Sequence, residues 1–396
     1  MIFNYIFIKN LLKKKLNVKN SSYGVSDGLF DGEVGISLSL FYRYKRSDNK
    51  DLYDSGFLML DRVLENLQIK STLGSMSLSE GLSGLGYMFV LLKDLDLLDM
   101  DIEELIPGFD DLIFEMTTGA LEEKNLGFCN GLAGVLHYFN MRADSSGVNL
   151  QLVNGMIAAT TNENNGFYFP EELIYLPKLG HTHSYVNLGM AHGVAGFLCT
   201  ILNYYKINPL SHIKDYLYKA LNFIISYQKE VCFSKGKFCH FPSFIRVAAF
   251  DYGDSVKEWD KSRLAWCIGD LNMAYLFTKA GQILNEEAFS IVGDITGLTT
   301  TKRRSELETK ICDPFLCHGS SGVAMVYNKL YEMTGADHYR TSYLHWLSVT
   351  NLYFEQKSQF DKSKAGLLNG RSGVDLFLST QFSHTANHHS NTLFLI

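Results

Sequence analysis

A pair of glycines three residues apart recurs along the whole 396-residue chain, and its spacing constrains the fold more than any other feature. The copies read FDGEVG (Gly32, Gly35), SEGLSG (Gly81, Gly84), CNGLAG (Gly131, Gly134), AHGVAG (Gly193, Gly196), CIGDLN (Gly269, Asn272), CHGSSG (Gly319, Gly322) and LNGRSG (Gly370, Gly373). Successive first glycines are 49, 50, 62, 76, 50 and 51 residues apart, so a unit of fixed size repeats, with insertions in the third and fourth intervals. Such a unit accommodates two helices of ordinary length, roughly 11–12 residues or longer, and their connections.

An apolar stripe at helical spacing follows each pair. Val194, Phe197, Leu198, Ile201, Leu202 and Tyr205 form one example, and Val323, Val326, Tyr327, Leu330 and Tyr331 another. Each motif is therefore predicted to start a helix, with small residues letting helix ends crowd together. The 6 prolines all lie outside the periodic stretches, which favours a helix-rich fold. An open solenoid wants atypical capping repeats at its ends. The first and last copies here keep the full motif, which favours closure into a ring. The expected fold is all-α, an α/α toroid: a double-layered helical barrel of seven repeats forming a single domain over residues 1–396. The insertions, about 162–190 and 232–260, are aromatic, broken by proline or glycine and without helical period, and read as loops at the cavity mouth.

Composition excludes some functions. With 36 Lys and Arg against 42 Asp and Glu, a net charge of −6 and no basic run, no nucleic-acid surface is indicated. The opening MIFNYIFIKNLLKKK places apolar residues before lysines, the reverse of an export signal, and the run is too short to span a bilayer. A cytoplasmic protein is expected. Its 7 cysteines are then reduced thiols or metal ligands rather than a disulfide framework.

Aligned on the first glycine, the preceding residues are Asp31, Glu80, Asn130, His192, Ile268, His318 and Asn369. In a ring these converge on one end of the central cavity. Helix capping accounts for Asp31, Asn130 and Asn369 but poorly for His192 and His318. One residue further back, Cys129, Cys267 and Cys317 share a phase. The fifth and sixth copies are neighbours, so Cys267 and Cys317 occupy equivalent points of adjacent units, with His318 beside one of them. Two thiolates and an imidazole suit zinc and leave a fourth position open. Singly, each residue reads as packing; at matched repeat positions the combination favours metal. Cys129, two units away, reads as packing. Cys232, Cys239 and His240 read as incidental loop residues, and His388 and His389 as an exposed polar tail.

An open zinc suits thiol addition, which needs an acid to protonate the resulting carbanion or enolate. His192 occupies the same cavity-lining position as His318. Arg263 lies four residues before Cys267, one turn away if that stretch is helical, where it either stabilises an enolate oxygen or forms a salt bridge.

The ordered set AHGVAG, RLAWCIGD and CHGSSG, with the seven glycine motifs over nearly the whole chain, resembles the lanthionine synthetase C family of lanthipeptide cyclases. The resemblance implies an α/α toroid with Zn2+ held by Cys267, Cys317 and His318, and with His192 and Arg263 as the acid/base histidine and the active-site arginine. It implies addition of peptide cysteine thiols to dehydroalanine or dehydrobutyrine, forming lanthionine and methyllanthionine rings. The implied partners are a dehydrated lanthipeptide precursor, a separate LanB-type dehydratase and membrane-associated export machinery. Through such partners a cytoplasmic protein would sit at the inner membrane. Three departures stand out: Ile268 where the family usually has Tyr, Gly127 where it usually has Asp, and Asn272 for the second glycine of the fifth copy. Glu122 and Glu123 are nearby carboxylates that would substitute at Gly127. The alternatives are an impaired zinc protein that binds a precursor or a dehydratase, or an unrelated toroid such as a glycosidase working through Asp31 and Glu80.

Overall fold

The computed structural model describes residues 26–70, 73–98, 100–142, 146–161, 167, 169, 172–176, 181–246, 262–356 and 364–380. The amino-terminal run, His388, His389 and the remaining parts of the two insertions lie outside the described residues.

Helices alternate in the expected pairs. In chain order they are α1 (Glu33–Ser47), α2 (Lys50–Lys70), α3 (Leu82–Asp94), α4 (Ile102–Leu105), α5 (Phe109–Glu122), α6 (Leu132–Phe139), α7 (Ser146–Ala159), α8 (Val194–Ile207), α9 (Ser211–Ile225), α10 (Asp270–Leu284), α11 (Glu287–Thr300), α12 (Glu306–Thr309), α13 (Ser320–Thr334), α14 (Asp337–Glu355) and α15 (Arg371–Thr380). Every glycine motif starts one of them: α1, α3, α6, α8, α10, α13 and α15 begin directly after a first glycine. These motif helices are buried nearly all round, as Leu82–Phe89 and Val194–Leu202 show. The second helix of each pair is amphipathic, so that α9 buries Ile213, Leu217, Ala220, Leu221 and Ile224 and exposes its other side.

The chain forms two compact units. One comprises Met1–Glu123, Cys129–Leu152 and Gln356–Ile396; the other comprises Lys124–Phe128 and Val153–Glu355. In the first, α15 packs on α1, α1 on α2 and α3, and α3 on α6. In the second, α8, α10 and α13 pack in sequence, and α10 and α13 each carry their own partner, α11 and α14.

The insertions of the second unit carry more regular structure than their lack of helical period suggested. Strands β1 (Glu172–Leu176), β2 (His181–Asn187) and β3 (Phe244–Arg246) form an antiparallel sheet in that order. Absence of a 3.6-residue period excludes a helix but not a strand, and β3 comes from the other insertion, so no local signal announces the pairing.

Two close approaches explain the glycines. In four copies the carbonyl six residues before the first glycine accepts the first N–H of the motif helix: Ser26 from Glu33 (2.9 Å), Ser75 from Leu82 (2.8 Å), Asp313 from Ser320 (3.0 Å) and Lys364 from Arg371 (3.0 Å). The carbonyl crosses so near the first glycine that a Cβ would lie 2.3 Å from it at Gly81 and 2.2 Å at Gly193. A Cβ on the second glycine would meet the carbonyl three residues before the first, at 1.9 Å for Gly35 and 1.8 Å for Gly322. The first glycine is itself the helix cap, without a side-chain bond. The expectation that Asp31, Asn130 and Asn369 cap helices is therefore corrected, because each stands one residue too early. Instead Asp31 accepts the backbone N–H and side-chain amide of Asn369 (both 3.1 Å), and Asn130 accepts the Ser79 hydroxyl (2.8 Å).

These clashes are with backbone, which cannot move aside. Gly35→Ala should cost about 1–3 kcal/mol or prevent folding. Gly119→Ala, in α5 with nothing within 4 Å of the added carbon, should gain about 0.5–1 kcal/mol. Urea denaturation of the two variants should move the midpoint in opposite directions.

Candidate metal centre

Backbone bonding between consecutive motifs builds the site. Two residues before the first glycine, the carbonyl of one copy accepts N–H groups from its neighbour. Phe30 accepts from Leu367 and Leu368, Ser79 from Leu29 and Phe30, and Cys129 from Ser79. In the second unit Cys267 accepts from Met190 (2.8 Å) and Ala191 (3.3 Å), and Cys317 accepts from Cys267 (3.2 Å). The residues directly after Ala191 and Cys317 are His192 and His318. The same ladder thus brings the main chain just before His192 onto Cys267, and that of Cys267 onto Cys317, the neighbour of His318.

Cys267, Cys317 and His318 are half-buried and offer donor atoms all within 4.8 Å of one another. Tetrahedral zinc with bonds of about 2.3 Å to sulfur holds two sulfurs roughly 3.8 Å apart, so the donor set and its compactness fit such an ion. Among the described residues this is the one such cluster of His, Cys and carboxylates. The Cys267 thiol is pulled below its usual range, first by its hydrogen bond with the Cys317 sulfur; burial opposes this, and the positive charge of Arg263 adds to it.

Arg263 is half-buried beside the cysteines, but not on a helix: residues 262–269 are irregular and α10 begins at Asp270. The helical-turn argument for its proximity is therefore corrected. Its main chain is held instead, with Leu264 N–H on the Thr309 carbonyl (2.9 Å) and the Ser262 carbonyl accepting from the fully buried Arg303. The Cys239 sulfur accepts from the Ser262 N–H (3.0 Å) and hydroxyl (3.1 Å). Asp270, fully buried, accepts the N–H groups of His240 (2.7 Å) and Phe241 (2.9 Å). Burial pushes its carboxyl above the usual range despite the pull of Arg303. Cys239 and His240 are thus fastened to the fifth motif and are not incidental. No sequence period marks this network, because its members come from four separated segments.

The fifth motif departs from the others in backbone as well as in sequence. Gly269 has φ +111°, whereas the first glycines of other copies are extended. Asn272 takes the second-glycine position, and its side-chain amide donates to the Trp266 carbonyl (3.2 Å), the group that excludes a Cβ elsewhere. Only glycine readily adopts the φ of Gly269, and a Cβ there would sit 2.3 Å from the Arg263 carbonyl.

His192 is exposed. The ideal Cβ of Gly127 would lie 3.3 Å from the His192 Cα and carbonyl oxygen, so this glycine packs directly on the histidine's main chain. Glu122 and Glu123 are exposed at the end of α5. Cys129 is buried, in keeping with packing. Ile268 is half-buried against Gly189, whose Cβ would lie 3.2 Å from it.

Fold and site together define a helical-repeat protein with a two-cysteine, one-histidine centre. The family profile described as lanthionine synthetase C-like protein matches residues 24–394, and the chain belongs to that family. Among solved structures, nisin cyclase shares the fold at a TM-score of 0.78 and 19% identity, over 98% of this chain and 97% of that one. The all-α toroid class expected from the repeats is therefore the fold observed. An inactive variant of the α-1,6-mannanase GH76A of Salegentibacter sp. HEL1_6, in complex with α-1,6-mannotriose, reaches a TM-score of only 0.41 at 11% identity, over 95% of this chain and 98% of that one. No curated protein matches by sequence. No helix among the described residues is long and apolar enough to cross a membrane.

Purified protein should carry one zinc per chain by elemental analysis. Cys317→Ala should lose most of it, whereas Cys129→Ala, which removes none of the three clustered donors, should keep it.

Proposed function

We propose that the chain is a cytoplasmic zinc-dependent lanthipeptide cyclase, adding cysteine thiols of a dehydrated precursor to its dehydroalanine or dehydrobutyrine residues. The supporting observation is the backbone ladder that aligns His192 with Cys267, Cys317 and His318. Membership of the lanthionine synthetase C-like family, and a structural neighbour named nisin cyclase, support the same reading.

Cys267, Cys317 and His318 would hold the ion. When bound, zinc supplies Lewis acidity that favours the thiolate form of an incoming thiol. The addition is balanced without a further reactant: sulfur bonds to the β-carbon, the C=C π pair moves to the α-carbon, and one proton replaces that lost by the thiol. His192 is the group proposed to deliver that proton at the α-carbon. Arg263, whose charge already acts on Cys267, is proposed to stabilise the negative charge developing on the enolate oxygen. The insertions, 162–190 and 232–260, are proposed to grip the peptide. A separate LanB-type dehydratase would supply the substrate, and export machinery would receive the product.

A second reading, a binding protein that keeps zinc without efficient turnover, is favoured by one observation. Gly127 places no side chain beside His192 where family members usually carry an aspartate.

Alkylation of free thiols on a dehydrated precursor, with and without the protein, separates the two. Thiols should disappear with thioether formation; equal persistence in both samples would leave only the binding reading. His192→Ala should keep its zinc and slow ring closure by about 10²–10⁴-fold, the usual contribution of a positioned acid.

A further inference from the structure

The residue six before the first glycine closes a turn in several copies. Its side chain accepts the N–H two residues on: Ser26 from Gly28 (3.2 Å), Ser75 from Ser77 (3.4 Å), Asn187 from Gly189 (2.8 Å) and Asp313 from Phe315 (2.9 Å). Among these four, Asp313 alone is ionisable, although a neutral oxygen suffices for the turn. Its turn uses Oδ1. The second oxygen, Oδ2, stands 3.5 Å from Nε2 of His318, an ion-pair distance, and both side chains are largely shielded. Asp313 is not one of the three clustered donors.

We propose that Asp313 is a positioning residue for the metal centre. Its second oxygen accepts the Nε2–H of His318, which fixes the tautomer and leaves Nδ1 as the nitrogen that would hold the ion. A ligating histidine commonly gives its other N–H to a carboxylate, which orients the ring and makes the ligating nitrogen more basic. The inference rests on the reading of Cys267, Cys317 and His318 as a zinc site.

Asp313→Asn separates the two roles of this side chain. Asn187 demonstrates that an amide oxygen closes the turn. With Oδ1 so engaged, the variant turns an NH2 toward Nε2, and donor meets donor. Zinc affinity, measured on the full chain by competition with a chromophoric chelator, should fall about 10–100-fold, while the thermal midpoint of the metal-free protein stays unchanged. Substituted cobalt should show an altered visible spectrum. Asp313→Ala should lose both zinc affinity and metal-free stability. Parental affinity in Asp313→Asn would overturn the proposal, and so would a loss of metal-free stability equal to that of the alanine variant. A parent protein that binds no zinc would instead overturn the metal-site reading on which it rests.

Discussion

The carbonyl two residues before the first glycine, which in five of the seven copies accepts N–H groups from the neighbouring motif, is the interaction on which the rest of the structure depends. Motif loops enter helices that are buried nearly all round, and buried backbone polar groups must find partners. Here they find them in the next copy. Phe30 takes Leu367 and Leu368, Cys267 takes Met190 and Ala191, and Cys317 takes Cys267. Because the bonds are main chain to main chain, they impose register without specifying a side chain. Phenylalanine, serine and cysteine all serve at the same point, and the next position is equally free to carry Asp31, Glu80, His192 or His318. A repeated backbone device thus delivers a row of chemically variable positions, and a metal centre requires only that two adjacent copies bear donors.

The fifth copy shows how far that device bends. Elsewhere the second glycine is compelled by a carbonyl under 2.3 Å from any Cβ, as at Gly35 and Gly84. Asn272 escapes through a rotated backbone at Gly269 and turns the same carbonyl, that of Trp266, into a hydrogen-bond acceptor. The Ser, Asn or Asp that closes this turn in four copies is replaced there by Arg263, as it is by Lys364 in the seventh copy. A basic side chain cannot accept the N–H that closes the turn, and the segment is tied down from outside by Arg303 and Thr309. Releasing that position from a local structural duty is what makes a cation available beside Cys267.

The repeat, the helix starts and the Cys/Cys/His set were legible because each depends on residue type at a fixed phase. Comparison of equivalent positions is then enough to place Cys267 beside Cys317. Carried four residues further back, the same alignment would have reached Asp313. The illegible parts share one property, which is that their partners have no common phase. Strand β3 pairs with β2 across a long sequence separation. Asp270, Cys239, Ser262 and Arg303 meet from four segments, and each alone reads as an ordinary residue of a loop or helix end. Capping was misplaced for a subtler reason: Asp and Asn are good caps by type, but the carbonyl crossing the first glycine shifts the helix start by one residue.

Gly127 is more than a missing carboxylate. An aspartate introduced there would place its Cβ 3.3 Å from the His192 backbone, tighter than most such contacts, so the loop would have to give by a few tenths of an ångström. The packing around His192 is therefore fitted to glycine rather than left with a vacancy. Glu122 and Glu123 offer no clear replacement, being exposed at a helix end. His192 is itself exposed. In the proposed role of proton donor, the bond from Ala191 N–H to the Cys267 carbonyl is one of the constraints that would aim it.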